Sequence, residues 1–100
     1  KIVKNDSCNK NHIVLDNDKL KFPLEIRKWK NGDYFYPDGI DGKKKVSKYY
    51  KDSKLNLFQK EAQWLLCSNN KIVWIVGLRG DKRFKFKSNS KNKLIIKCTV

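Results

Sequence analysis

Trp64-Leu65-Leu66-Cys67-Ser68-Asn69-Asn70-Lys71-Ile72-Val73-Trp74-Ile75-Val76 decides the fold. Two apolar runs, Trp64–Ser68 and Lys71–Val76, flank an asparagine pair. Asparagine tolerates positive φ, so Asn69-Asn70 predicts a two-residue hairpin turn. Both runs are hydrophobic at nearly every position, not at alternate ones. A hairpin of that kind is expected to be buried on both faces.

Downstream, Gly77–Arg83 reads as a loop or bulged strand end. Arg83–Lys87 alternates basic residues with phenylalanine, which predicts a strand exposed on one face. Ser88–Asn92 is a polar turn, and Leu94–Thr99 is a last strand with Leu94, Ile96 and Cys98 on one side. Upstream, Asn56 is an N-cap with Gln59 in the capping-box position, so a short helix is expected through Ala62. Lys44–Asp52 fits another short helix. At about 100° per residue, Lys44, Lys48 and Lys51 share one face and Val46, Tyr49 and Tyr50 the opposite one. Phe22–Trp29 alternates as a strand with Pro23 near its start. Asn31-Gly32-Asp33 is a turn, Tyr34–Pro37 an extended aromatic piece, and Asp38–Gly42 a loop. His12–Asp16 is a short strand followed by a turn at Asn17-Asp18. Residues 1–11 carry no periodicity and read as a linker or frayed terminus, leaving 12–100 as one domain. The expected class is α+β: a β-rich small sheet or sandwich with one or two short helices inserted in the middle.

The chain has 100 residues, begins at Lys1 and contains no methionine. It therefore reads as a fragment of a larger protein, without initiator or signal peptide. No run is long enough to cross a membrane. Cys8, Cys67 and Cys98 are odd in number and widely spaced, and His12 is the one histidine, so no structural zinc site or disulfide framework is expected. Cysteine usage fits a cytoplasmic origin, with Cys67 and Cys98 buried as small apolar residues.

Catalysis finds little support. No Ser/His/Asp constellation is evident, and the aspartates fall in turns, where they bond their own backbone. No Gly-x-x-x-x-Gly-Lys-Ser/Thr or Gly-x-Gly-x-x-Gly motif occurs, and Gly39-Ile40-Asp41-Gly42-Lys43 resembles a phosphate loop in composition only. No catalytic residue and no metal site is assigned.

Charge points to binding. Lys and Arg total 24 against 10 Asp and Glu, a net +14. Charge of this size favours polyanions, nucleic acid before anionic membrane. Lysine and asparagine are also products of AT-rich codons, so genome composition is a competing source of the total. Arrangement says more. Lys43, Lys44 and Lys45 crowd the start of a helix, where the dipole favours anions; a phosphate there would offset the cost. Lys44, Lys48 and Lys51 are either a solvated helix face or a track for phosphates. Three arginines stand in a lysine-rich chain: Arg27, Arg79 and Arg83. Each either forks onto phosphate or makes an internal salt bridge, with Asp33 or Asp81 the nearest candidates. Lys85 and Lys87 extend the same basic set. Trp29, Tyr34, Phe35 and Tyr36 interleave with the charge and either stack on unpaired bases or fill the core.

Three segments carry a family resemblance: Ile26–Pro37, Gly42–Tyr50 and Ile72–Phe84. In order and spacing they resemble the C-terminal domain of bacterial tRNA(Ile)-lysidine synthetase. The resemblance implies a parent ligase that uses ATP and magnesium to join lysine to the wobble cytidine of tRNA(Ile), through an N-terminal catalytic domain with a Ser-Gly-Gly-x-Asp-Ser loop. No such loop occurs here, so no cofactor is expected in this segment. For these residues it implies tRNA recognition, chiefly of the acceptor-stem region, by phosphate and shape contacts. The expected tRNA-binding residues are Arg27, Lys28, Lys43, Lys44, Lys45, Lys48, Lys51, Arg79 and Arg83, with Gly32, Asp33, Gly42 and Asp81 structuring the loops. Partners implied are tRNA(Ile), the catalytic domain of the same chain and no membrane, with a homodimer left open. The chain departs from the family pattern at Leu55-Asn56-Leu57, where a proline often opens the helix, and at Gly80, where a larger residue is common. The alternative from another class is a structural inter-domain or dimerisation module whose charge reflects genome composition.

Overall fold

The computed structural model describes residues 2–4 and 12–99. Among the described residues nine strands run in chain order: β1 (Ile2–Lys4), β2 (His12–Asp16), β3 (Leu24–Arg27), β4 (Tyr34–Phe35), β5 (Lys44–Lys45), β6 (Leu65–Ser68), β7 (Lys71–Ile75), β8 (Arg79–Gly80) and β9 (Lys93–Thr99). Two helices, α1 (Val46–Asp52) and α2 (Leu57–Ala62), lie between β5 and β6. The α+β class with short central helices is as expected.

β6 and β7 form the predicted hairpin, and Asn69 and Asn70 both have positive φ, +51° and +66°. They sit at the centre of a four-stranded sheet ordered β3-β6-β7-β8. Each face of that sheet carries its own core. On one side Leu66, Val73, Trp74 and Val76 pack with Leu15, Leu20, Phe84 and Ile96, beneath a sheet ordered β1-β9-β2. On the other, Leu65, Cys67, Ile72 and Ile75 pack with Phe35, Val46, Tyr49 and Tyr50, under α1 and the β4-β5 pair. Double coverage explains why the hairpin has no polar face. Leu66 stands opposite Trp74 and Cys67 opposite Ile72, so Val73 is an extra residue on β7, a bulge. It lets Val73 and Trp74, adjacent in sequence, enter the same core. The carbonyl of Val73 accepts the Asp81 N–H at 2.8 Å, which fixes the corner after β8.

Three expectations are corrected. Ile2–Lys4 is not linker: it pairs in parallel with β9. Lys1 and residues 5–11, including Cys8, lie outside the described residues, as does the Cys98 side chain. The first helix starts at Val46, because Lys44 and Lys45 pair with Phe35 and Tyr34 as a strand. Arg83–Lys87 is not a strand: Lys82–Phe84 is a 3-10 turn, capped by the Asp81 side chain, and Lys85 makes a single bridge to Leu15. Of the two roles open to the aromatics, Phe35 and Trp29 take the core: Phe35 is fully buried and Trp29 packs edge-on to Tyr50 at 5.7 Å.

Candidate nucleic-acid interface

Arg27 ends β3 and turns its guanidinium onto the following turn. Its two terminal nitrogens donate to the Asp33 carboxylate at 2.9 and 3.0 Å, and one also donates to the Lys28 carbonyl. Asp33 further accepts the Lys30 N–H, with Gly32 at φ +96° making the turn. Burial pushes the Asp33 carboxyl up, but the Arg27 fork and the Lys30 N–H outweigh it and hold it below the usual range. The same hydrogen bond raises Arg27. The Asp33 carbonyl accepts the Val46 N–H at 2.9 Å. One N–H of the first turn of α1 is thus already satisfied, and the helix has only seven residues.

A second carboxylate organises the opposite corner. Asp81 has no exposed side-chain surface. It accepts the Tyr36 and Arg83 N–H groups at 2.9 and 2.8 Å and binds the Arg83 guanidinium at 2.9 Å. Arg79 donates to the Asp38 carbonyl at 2.8 Å and Lys82 to the Ile40 carbonyl at 2.9 Å. The 38–42 loop, with Gly42 at φ +77°, is therefore strapped to the β8 corner. Of the two roles open to the arginines, the geometry gives Arg27 and Arg83 internal salt bridges and Arg79 a backbone brace.

The lysines divide by strand alternation. Lys44, opposite buried Phe35, turns inward and reaches Asp52 at 2.7 Å. Lys48 reaches the same carboxylate at 3.4 Å, so Asp52 partly neutralises the expected three-lysine face. Hydrogen bonding from Lys44 leads the effects that hold Asp52 below the usual range. The signal was present in sequence as Lys48 and Asp52 four apart. Lys51 is exposed on α1. Lys28 lies over the Trp64 ring at 3.8 Å. Lys45 stands opposite exposed Tyr34 on the outer face of the β4-β5 pair.

On that outer face a continuous row forms. The Lys43 ammonium sits 4.6 Å from the Tyr34 ring centre. Tyr34 meets Tyr36 edge-on at 6.2 Å. Tyr36 carries the Arg83 guanidinium at 4.3 Å. Beside the row is a hollow of about 100 Å³ lined by Gly32, Asp33, Tyr34, Asn70, Lys71 and Arg83. Lys71 is the residue that sequence reasoning missed. It sits at the hairpin tip, and nothing local in sequence places that tip against Tyr34. Among the described residues no group of three His, Cys, Asp or Glu side chains could hold a metal ion. Gly39–Gly42 leads into a strand and not directly into a helix N-terminus.

Comparison with known proteins agrees with the fold and the motifs. A family model described as the TilS substrate C-terminal domain matches residues 24–96. A tRNA(Ile)-lysidine synthase of Parabacteroides distasonis is 50% identical over 88 residues, which cover 88% of this chain and 20% of that protein. One from Bacteroides thetaiotaomicron is 43% identical, covering 88% and 21%. The chain thus spans about a fifth of the length of the curated relatives it matches. A solved structure titled as a TilS C-terminal domain superposes with a TM-score of 0.74 at 20% identity, over 91% of this chain and 70% of that one. By its sequence, the chain belongs to the TilS substrate C-terminal domain family.

Proposed function

We propose that this chain is the non-catalytic tRNA-binding domain of a tRNA(Ile)-lysidine synthase and holds RNA through phosphate and shape contacts. One observation carries the reading: the row Lys43–Tyr34–Tyr36–Arg83, which joins the glycine-lysine loop to the β8 corner on one face. Phosphates lie over Lys43, Lys45 and Lys71, with Lys48 and Lys51 extending the field along α1. Arg27, Arg79 and Arg83 act by holding the loops. Side chains of this kind read backbone rather than base edges, which suits A-form RNA with its inaccessible major groove. The region of tRNA contacted is the acceptor stem. On this reading the ATP-dependent joining of lysine to the wobble cytidine belongs to chain outside these 100 residues.

Fluorescence anisotropy with a labelled acceptor-stem hairpin tests it. Neutralising about four phosphates predicts a loss of roughly a hundredfold in affinity between 50 and 200 mM salt. Affinity that ignores salt contradicts it. A second reading, a packing module within the larger protein or a dimer, has one observation in its favour: Leu57 and Phe58 on α2 are 69% and 80% exposed. Sedimentation of the chain as a dimer, with no RNA binding, favours that reading.

A further inference from the structure

A larger cleft of about 430 Å³ lies between β2 and β8. Its volume falls in the range of small-ligand pockets, roughly 300–1,000 Å³. Its floor is apolar: Ile13, Trp74 and Leu78, with Gly80 between them. A Cβ at position 80 would meet Ile13 Cδ1 at 2.7 Å, so the depth of the floor depends on glycine there. Phe86 supplies an aromatic wall, with Lys93 5.4 Å from its ring centre. The rim is polar. Arg79 spends one nitrogen on the Asp38 carbonyl and keeps further donors. Asp38 offers a half-exposed carboxylate, 3.2 Å from the Lys85 ammonium, and exposed His12 closes the edge.

Resting on the RNA-binding reading, we propose that this cleft takes one unpaired nucleotide of the bound RNA, base inward. A free phosphate would use the cations and leave the floor empty. An aliphatic group would fill the floor and strand the rim. A nucleotide uses both: the base lies on the apolar floor against Phe86, Arg79 donates to ring nitrogens or carbonyls, and Asp38 accepts from an exocyclic amine. A duplex is too broad to enter, so the nucleotide is an unpaired one, and a single-stranded end presents it with least strain. Asp81 connects the two features, since it lines this cleft while its carboxylate grips Arg83 at the end of the surface row.

The test compares two RNA hairpins of identical duplex, one blunt and one with a short single-stranded 3′ overhang, each titrated with the 100-residue chain. The overhang should tighten binding about tenfold, the gain expected of one stacked base. Overhangs ending in adenosine or cytidine should exceed uridine. Phe86→Ala should erase the gain and leave blunt-hairpin affinity unchanged, with an unaltered circular-dichroism spectrum. Asp38→Asn should level the base preference. Equal affinity for blunt and overhanging RNA, both bound, overturns the cleft proposal and leaves the RNA reading standing. A Phe86→Ala loss equal for both RNAs also overturns it. Binding of neither RNA removes both readings.

Discussion

Asp81 shows how one buried acid can hold a surface in place. Its carboxylate gathers two backbone N–H groups and the Arg83 guanidinium, and so ties β4, β8 and the following turn together. Asp81→Ala would leave these donors unpaired, and a loss of about 3 kcal/mol in urea unfolding is expected. Asp33 makes a smaller version of the same device. Its folded-state pKa is lowered, so it adds stability above the unfolded value of about 3.9. That contribution disappears as pH falls from about 4 through the lowered native value. Unfolding midpoints measured against pH should decline through this window, and Asp33→Asn should flatten the decline. Tyr50 is the opposite case. Its hydroxyl is buried with no hydrogen-bond partner among the described residues, and burial pushes its pKa up. Tyr50→Phe removes an unpaired polar atom, so stability should hold or rise by about 1 kcal/mol. A loss greater than that would mean the hydroxyl has a partner.

Among elements, those specified by local chemistry were legible and those specified by distant contacts were not. Asn69-Asn70 marked the hairpin because positive φ is a local demand. Asn56 and Gln59 marked α2, and both capping-box bonds form, at 2.8 and 2.9 Å. Asn56→Ala should cost about 1 kcal/mol of helix stability. Because α2 buries no residue, amide exchange should quicken in α2 and not in β6 or β7. The start of α1 was read two residues early, since Lys44 and Lys45 satisfy helical periodicity until pairing with β4 claims them. Ile2–Lys4 looked like linker because three residues carry no period, and their partner β9 lies at the other end of the chain. The Arg83–Lys87 alternation mimicked a strand, yet the Asp81 cap draws the backbone into a 3-10 turn. For the candidate site, the Arg27–Asp33 and Arg83–Asp81 pairs were among the alternatives legible in sequence. The inward turn of Lys44 and the arrival of Lys71 depend on strand register and hairpin placement, which no local motif encodes.

For the whole molecule the question is whether +14 acts as a diffuse cloud or through one face. Among the described residues no helix is long and apolar enough to cross a membrane. The layered fold sets β4-β5 and the hairpin tip side by side, so Lys43 and Lys45 from one stretch of chain and Lys71 from another surround Tyr34. A different hollow holds Lys19, Lys87 and Lys91 beside Asp16. These two trios carry equal charge on different surfaces, which gives the most direct measurement. Affinity for an acceptor-stem hairpin should be compared between Lys43→Glu/Lys45→Glu/Lys71→Glu and Lys19→Glu/Lys87→Glu/Lys91→Glu, at one salt concentration. The first triple variant should lose about a hundredfold or more and the second only a few-fold. Equal losses would contradict the account, since binding would then follow total charge and not the Tyr34 face.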